Sequence, residues 1–367
     1  MTLSLEKLNW RGFLARPRLP SPPPEVLDAL YREPLLITGA GGSIGSALTL
    51  RLATFAPSLL LLLESSERGL YNLRETWEAS GPACPMAPIL GNVLDRSLLE
   101  EVFTAHAPRI VFHAAAFKHV PMMEEHPFEA IANNILGTET LVSVAGSHGA
   151  RLVLVSTDKA VEPASVMGAT KRVAEQIVLH KGGTVLRLGN VLASHGSVAG
   201  VFARQIAQGA PVTVTDPAAR RFFLTMDEAV NLLLFAAARP VPAALLAPAL
   251  TASHSIAELA AFIAHELAPE SRLSIDFIGL RPGDKQVEQL WPAGEITRPV
   301  SRGGMVSIQT PLIAERDLVR GLDGLRAALE HRDLACALGH LRDLVPDYRP
   351  SLAVLALSRQ FGPRVCT

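Results

Sequence analysis

A doubly wound α/β fold, with a parallel sheet covered by helices on both faces and a smaller C-terminal lobe behind it, is predicted by three features of this 367-residue chain. From Pro34 to Asn190, short apolar runs alternate with longer amphipathic stretches. The runs are continuously apolar, as in strands buried on both faces, and do not alternate like half-exposed ones. A glycine-rich turn, TGAGGSIG (38–45), joins the first run to the first amphipathic stretch.

The elements follow in order. The proline-rich stretch 17–24, PRLPSPPP, cannot form a helix interior or a central strand, so it sets residues 1–29 apart as an arm and linker. PLLIT (34–38) reads as the first strand and 43–55 as the first helix. SLLLLLE (58–64) is the second strand and 66–79 the second helix. A short third strand spans 87–90, and Asp95 is placed to cap a helix running to His106. RIVFHAA (109–115) is the fourth strand, and 127–147 reads as one long helix. RLVLVST (151–157), a helix over 166–180 and TVLRLGN (184–190) complete the pattern. Beyond Asn190 the alternation weakens. Residues 191–350 are therefore assigned mainly to a substrate-binding lobe, with segments such as 227–238 returning to the sheet. Residues 30–190 form the dinucleotide-binding (Rossmann) domain, and 351–367 a tail.

Composition removes several function classes. The 34 Lys and Arg against 35 Asp and Glu leave no net basic charge to attract nucleic acid. Cys84, Cys336 and Cys366 are widely spaced and lack CxxC pairing, so neither a disulfide framework nor a zinc site is expected, and no metal is assigned. No signal peptide is visible in MTLSLEKLNWRGF. The run 59–63 is too short to span a membrane. The apolar stretch 229–250 is interrupted by Arg239, Pro240, Pro242 and Pro248, where a span needs about 20 apolar residues in a helix. A cytoplasmic protein without membrane insertion is expected.

In the turn, Gly39, Gly42 and Gly45 have the spacing that allows a tight bend, close approach of backbone to a pyrophosphate, and helix–strand packing. The free N–H groups of the following helix end suit an anion. Thr38, Ser43 and Ile44 complete this loop. Glu64 ends the second strand 19 residues after Gly45, where a carboxylate accepts from ribose hydroxyls and repels a 2′-phosphate, so NAD is expected over NADP. Asn92 and Val93, after the third strand, and Ala114 and Ala115, after the fourth, are the remaining cofactor-contact candidates.

The triplet Thr157, Asp158, Lys159 lies at the carboxyl end of the fifth strand, where open α/β sheets bind ligands. Met167 and Lys171 follow on the next helix, four residues apart on one face. Lys118 and His119 follow the fourth strand and Asn190 the sixth. Arg221 and Arg281 are candidates for phosphate, which guanidinium matches in geometry.

These stretches resemble the catalytic domain of the membrane-type UDP-N-acetylglucosamine 4,6-dehydratases, the CapD-like polysaccharide-biosynthesis family. The matching segments are TGAGGSIGS (38–46), HAAAFKHVPMMEEHP (113–127), NNILGT (133–138), STDKAVEPASVMGATKR (156–172), RLGNVLASHGSV (187–198), RRFFLTMDEA (220–229), GLRPGDK (279–285) and LVPDYRP (344–350). They cover most of residues 30–350; the family's membrane helices are expected to be absent. In short-chain dehydrogenases generally, Tyr stands at the position of Met167 as acid/base, and the Lys at 171 holds the nicotinamide ribose. Glu64, Phe117 and Asn92 stand where the family has Asp, Tyr and Asp.

The resemblance implies a UDP-sugar substrate, a tightly held NAD(P) that is regenerated each cycle, and a homo-oligomer. It also implies oxidation at carbon 4, water loss across carbons 5 and 6, and hydride return to carbon 6. Lys159 with a lowered pKa would be the carbon-5 base. Asp158 with a raised pKa would protonate the leaving hydroxyl, and Thr157 would bond the carbon-4 hydroxyl. Two other readings compete: an epimerase on the same scaffold, and a non-catalytic NAD- or sugar-nucleotide-sensing protein.

Overall fold

The computed structural model describes residues 5–82, 84–238, 243–270, 273–300 and 304–360. Arg239, Pro240, Pro242, Cys366 and the tail from 361 onward lie outside the described residues. Nine strands form the central sheet. In chain order they are β1 (Pro34–Thr38), β2 (Leu59–Glu64), β3 (Met86–Leu90), β4 (Ile110–His113), β5 (Arg151–Thr157), β6 (Thr184–Leu188), β7 (Ala244–Pro248), β8 (Ile296–Val300) and β9 (Met305–Gln309). Their order across the sheet is β8-β9-β7-β6-β5-β4-β1-β2-β3. The pairings from β3 through β7 are parallel, whereas β9 runs antiparallel to both β7 and β8.

The apolar runs explain the parallel part. Leu35, Leu36 and Ile37 in β1 and Leu60 to Leu62 in β2 are fully buried, as strands covered on both faces require. The chain runs outward from β1 through β2 and β3, then crosses to β4 on the other side of β1. That reversal opens a crevice at the carboxyl ends of β1 and β4. The expected caps are in place: Ser66 accepts from Gly69 N at the helix Glu67–Ser80, and Asp95 from Leu98 N at the helix Arg96–His106.

The single helix expected over 127–147 is instead broken. The helix Pro127–Ile131 passes through a wider π turn, Ala132–Leu136, before the helix Gly137–Ser147. The π turn contains Asn134, whose buried side chain has partners on two neighbouring segments. Its oxygen accepts from Phe117 N at 2.9 Å, and its amide donates to Phe117 O and Thr170 Oγ1, both at 3.1 Å. Local widening of this kind is a recurrent feature of functional helices.

Two hydrophobic cores are present. The larger surrounds the sheet and includes the helix Met226–Ala238, which packs on β5 and β6. The smaller gathers Phe202, Val212, Val214, Phe223, Leu259 and Ile263, together with Trp10 and Leu14 of the N-terminal arm. The arm is fastened by Arg16, which donates twice to the buried carboxylate of Glu228, at 2.7 and 2.9 Å. No helix among the described residues is long and apolar enough to cross a membrane.

Candidate active site

The glycine-rich turn sits in the crevice between β1 and β4. Gly39 has φ +68°, a left-handed conformation that favours glycine. A Cβ there would lie 2.7 Å from Ala115 N and 2.8 Å from the Ala114 carbonyl carbon, so the turn passes directly over the end of β4. The helix Ser43–Ala53 then begins at Gly42, which brings no side chain to cap it. Backbone donors at that end therefore face the crevice, which suits a phosphate. Glu64 lies beside the loop: one oxygen accepts from Gly41 N and the other from Ser66 N, both at 2.9 Å. A bare loop, an open helix end and an adjacent carboxylate fit a dinucleotide. Asn92 is exposed, with its side-chain oxygen accepting from Leu94 N at 2.9 Å. Val93 turns inward against the helix at Gly137.

Beneath the loop His113 is fully buried between Thr38 Oγ1 (2.7 Å) and Thr138 Oγ1 (2.9 Å). The Thr138 hydroxyl gives its own proton to Asn134 O at 2.7 Å, so His113 Nε2 must donate and Nδ1 must accept from Thr38. The ring is neutral, its pKa lowered to about 3 by burial and by the Lys171 cation. Lys171 is itself pulled down to about 8 by burial, with Glu175 acting against that fall.

Thr157 ends β5, and a single 3-10 turn carries Asp158 and Lys159. Asp158 is fully buried. Its Oδ1 accepts from Thr157 Oγ1 and from Lys159 Nζ, each at 3.0 Å. Its Oδ2 is buried with no hydrogen-bond partner among the described residues. Burial raises this carboxyl above the ordinary range; the nearby Glu288 carboxylate adds to the rise, and Lys159 offsets only part of it. A carboxyl so placed takes up a proton more readily than an ordinary one, and it has one oxygen unengaged. Asn190 joins the group, accepting from Lys159 Nζ at 3.2 Å.

The helix Val166–His180 brings Met167 and Lys171 alongside. Ser165 caps it by accepting from Gly168 N. A Cβ on Gly168 would lie 2.3 Å from Lys159 O, so the helix can approach the turn at 158–160 only because this residue is glycine. Met167 is buried and has no proton to exchange at neutral pH. Below, Glu175 binds Arg187 through both oxygens (2.9 and 2.8 Å) and accepts from Ser156 Oγ at 2.6 Å.

Several expectations require correction. Lys159 was expected to have a lowered pKa. Burial does act that way, but Asp158 and Glu288 outweigh it and the net shift is upward, so in the free chain it is an ammonium. Arg221 was a phosphate candidate. Instead it is buried, donating at 2.8 Å to Arg220 O, Gln286 O and Lys285 O, and it stands 3.9 Å from Glu288. Arg281 is exposed and paired with Asp284 at 2.8 Å. Lys118 donates to His195 O at 2.8 Å, and His119 lies against Gly196.

Two residues escaped the sequence reading. His195 N donates to Ser43 Oγ at 2.8 Å, and its Nδ1 lies 2.9 Å from the same oxygen, so the loop after β6 touches the glycine-rich loop. Glu288, buried at 2 % exposure, lies within 3.6 Å of Lys159 and 2.7 Å of Lys285. Glu288 stands just beyond the GLRPGDK segment, and His195, though inside RLGNVLASHGSV (187–198), carries no spacing of its own that announces a site.

Fold and crevice together define a doubly wound α/β protein with an open glycine-rich loop at its switch point and an acid–amine pair at the end of β5. Residues 35–310 match the model of the family described as polysaccharide biosynthesis protein, and the chain belongs to that family. It is 37% identical over 303 residues to the capsular polysaccharide biosynthesis protein CapD of Staphylococcus aureus, covering 80% of this chain and 51% of that one. The chain thus spans about half the length of that relative. It is 34% identical to a UDP-glucose 4-epimerase of Rickettsia canadensis, covering 73% of this chain and 80% of that protein. Among solved structures, DesIV, a dTDP-glucose 4,6-dehydratase from Streptomyces venezuelae with NAD and TYD bound, superposes with TM-score 0.64 at 19% identity. That match covers 82% of this chain and 98% of that one.

Proposed function

We propose that this chain carries the catalytic unit of an NAD-dependent nucleotide-sugar 4,6-dehydratase acting on a UDP-N-acetylhexosamine. The observation that carries the reading is Asp158, a buried carboxyl with a raised pKa and one free oxygen, bonded to both Thr157 and Lys159. Bound nicotinamide would supply the hydride acceptor for carbon 4 and the donor for carbon 6.

The chain's own residues handle the protons. Thr157 receives the carbon-4 hydroxyl proton and passes its own to Asp158 Oδ1 across 3.0 Å, which replaces the Tyr that Met167 displaces. Asp158 then gives this proton to the departing carbon-6 hydroxyl, forming water. Lys159, as free amine, takes the carbon-5 proton and later returns it. One proton thus enters from the substrate and leaves in water each turnover. Because the resting Lys159 is an ammonium, turnover begins only after that proton is lost, so the rate should rise with pH. Lys171, a cation below about pH 8, holds the nicotinamide ribose. Glu64 beside the glycine-rich loop favours NAD over NADP, and by likeness to the family the unit works as a homo-oligomer.

NMR of the product formed from UDP-N-acetylglucosamine tests the reading. A 4-keto-6-deoxy sugar supports it. A carbon-4 epimer, as the Rickettsia relative's name suggests, or no turnover overturns it. The Lys159→Ala variant should oxidise carbon 4 yet lose no water, accumulating NADH absorbance.

A further inference from the structure

Around Lys159 lies a charge arrangement supplied by chain far from the triplet. Lys159 Nζ has three donors and three acceptors near them: Asp158 Oδ1 at 3.0 Å, Asn190 Oδ1 at 3.2 Å and Glu288 Oε1 at 3.6 Å. Asp158 is its sequence neighbour and Asn190 follows β6, but Glu288 comes from the distant segment 285–290, whose Leu290 packs into the core around the sheet. Its segment is fixed at several points: Gln286 O accepts from Arg220 N at 2.8 Å, and Lys285 Nζ donates to Val161 O at 2.9 Å. The Glu288 carboxylate also faces Lys285 at 2.7 Å and Arg221 at 3.9 Å. Both cations are held by backbone carbonyls, so they stay beside Glu288 whatever the substrate does. We propose that Glu288 is a positioning residue of the catalytic centre, which anchors the Lys159 amine from the 285–290 segment and couples the seating of that segment to the proton Lys159 carries.

The physical basis is a division of labour between two buried carboxylates. Glu288 is partnered by three cations. Burial alone would favour its neutral form, but Lys159, Lys285 and Arg221 outweigh that and keep it ionised. Asp158 has one cation and an unengaged oxygen, and the fixed Glu288 charge makes its ionisation harder. Environments that separate two carboxyl groups in this way assign the acid role to one and a permanent charge to the other. The same fixed charge opposes loss of the Lys159 proton, and its pull depends on the 281–290 segment being in place.

The inference rests on the catalytic reading of Lys159, but its test does not depend on turnover. The chain has six lysines, so side-chain 15N labelling gives a tractable spectrum in which the Lys159 signal is identified by its loss in Lys159→Met. In the wild-type chain the Lys159 midpoint should lie above that of exposed Lys7. In Glu288→Gln it should fall by on the order of 1 pH unit, and Glu288→Asp should restore it. A wild-type midpoint at or below that of Lys7 overturns the inference without any variant, as does an unchanged midpoint in a folded Glu288→Gln. In the dehydration assay the rising limb of the pH–rate profile should move to lower pH in Glu288→Gln; an unmoved limb would likewise defeat it. Absence of turnover in the wild type would sink the dehydratase reading while leaving the lysine titration to decide the role of Glu288.

Discussion

The two sides of the crevice are built by different means. The proposed cofactor side, around β1 and β2, is a contiguous stretch built mostly from backbone: Gly39 bends, Gly42 leaves a helix end open, and Glu64 touches Gly41 N. The proposed catalytic side, beyond β5 and β6, is assembled from pieces at 157–159, 167–171, 190 and 285–288, and it is a cluster of buried charges. Backbone sites tolerate change in side chains but not in volume. Charge clusters tolerate some change in volume but not loss of a partner, because an unpaired buried charge is strongly unfavourable.

Four substitutions sharpen or break this contrast. The largest effect is expected from Asp158→Asn, which cannot protonate the leaving hydroxyl; kcat should fall roughly 10²–10⁴-fold with cofactor binding intact. Equal loss of cofactor affinity would erase the distinction between the two sides.

Next is Arg187→Met beneath the site, which strands the Glu175 carboxylate at a cost of about 3–5 kcal/mol, read from urea unfolding. Its pH dependence has a definite sign. Burial would raise the Glu175 carboxyl, but Arg187 and Arg172 draw it down to about 2, below the roughly 4.3 of an unfolded glutamate. That stabilisation is present above about pH 4.3 and is lost as the pH falls toward 2. The gap between wild type and variant should therefore be widest near neutrality and should narrow in acid.

Glu64→Ala should weaken NAD binding by on the order of 1.5–3 kcal/mol in a fluorescence titration while reducing the discrimination against NADP. Unaltered preference would remove Glu64 from cofactor choice. The smallest effect is expected from Gly168→Ala. The added methyl meets Lys159 O, with overpacking on the order of 1–3 kcal/mol. Turnover should drop while NAD affinity stays, the reverse of what Gly39→Ala should do on the cofactor side.

The same contrast governs what the sequence made legible. β1 to β6, their order of use and the glycine-rich turn could be read because each signal is local: an apolar run, a cap such as Asp95, a glycine spacing. Thr157, Asp158, Lys159 and Asn190 were legible as ends of strands, and they do meet. Glu288 and His195 were not, since each acts across more than a hundred residues of chain and carries no local pattern. Arg221 misled for a related reason: a guanidinium suits phosphate and carbonyl oxygens alike, and only the fold shows that carbonyls take it. The antiparallel β8 and β9 are partly exposed where β1, of the same length, is buried, so their apolar pattern is faint. The π turn at 132–136 was hidden because a local widening has no apolar period of its own; Asn134 within it bonds to Phe117 and Thr170.

The arm that seats Trp10 and Leu14 in the second core has a consequence for how the chain is made. Arg16 must wait for Glu228, 212 residues later in the chain, and Trp10 for the Phe262 ring it meets. Contacts so distant in sequence close slowly. Until those partners have been made, the segment that carries Trp10 and Leu14 is apolar surface without its seat, and its capture marks the moment at which the smaller core can close.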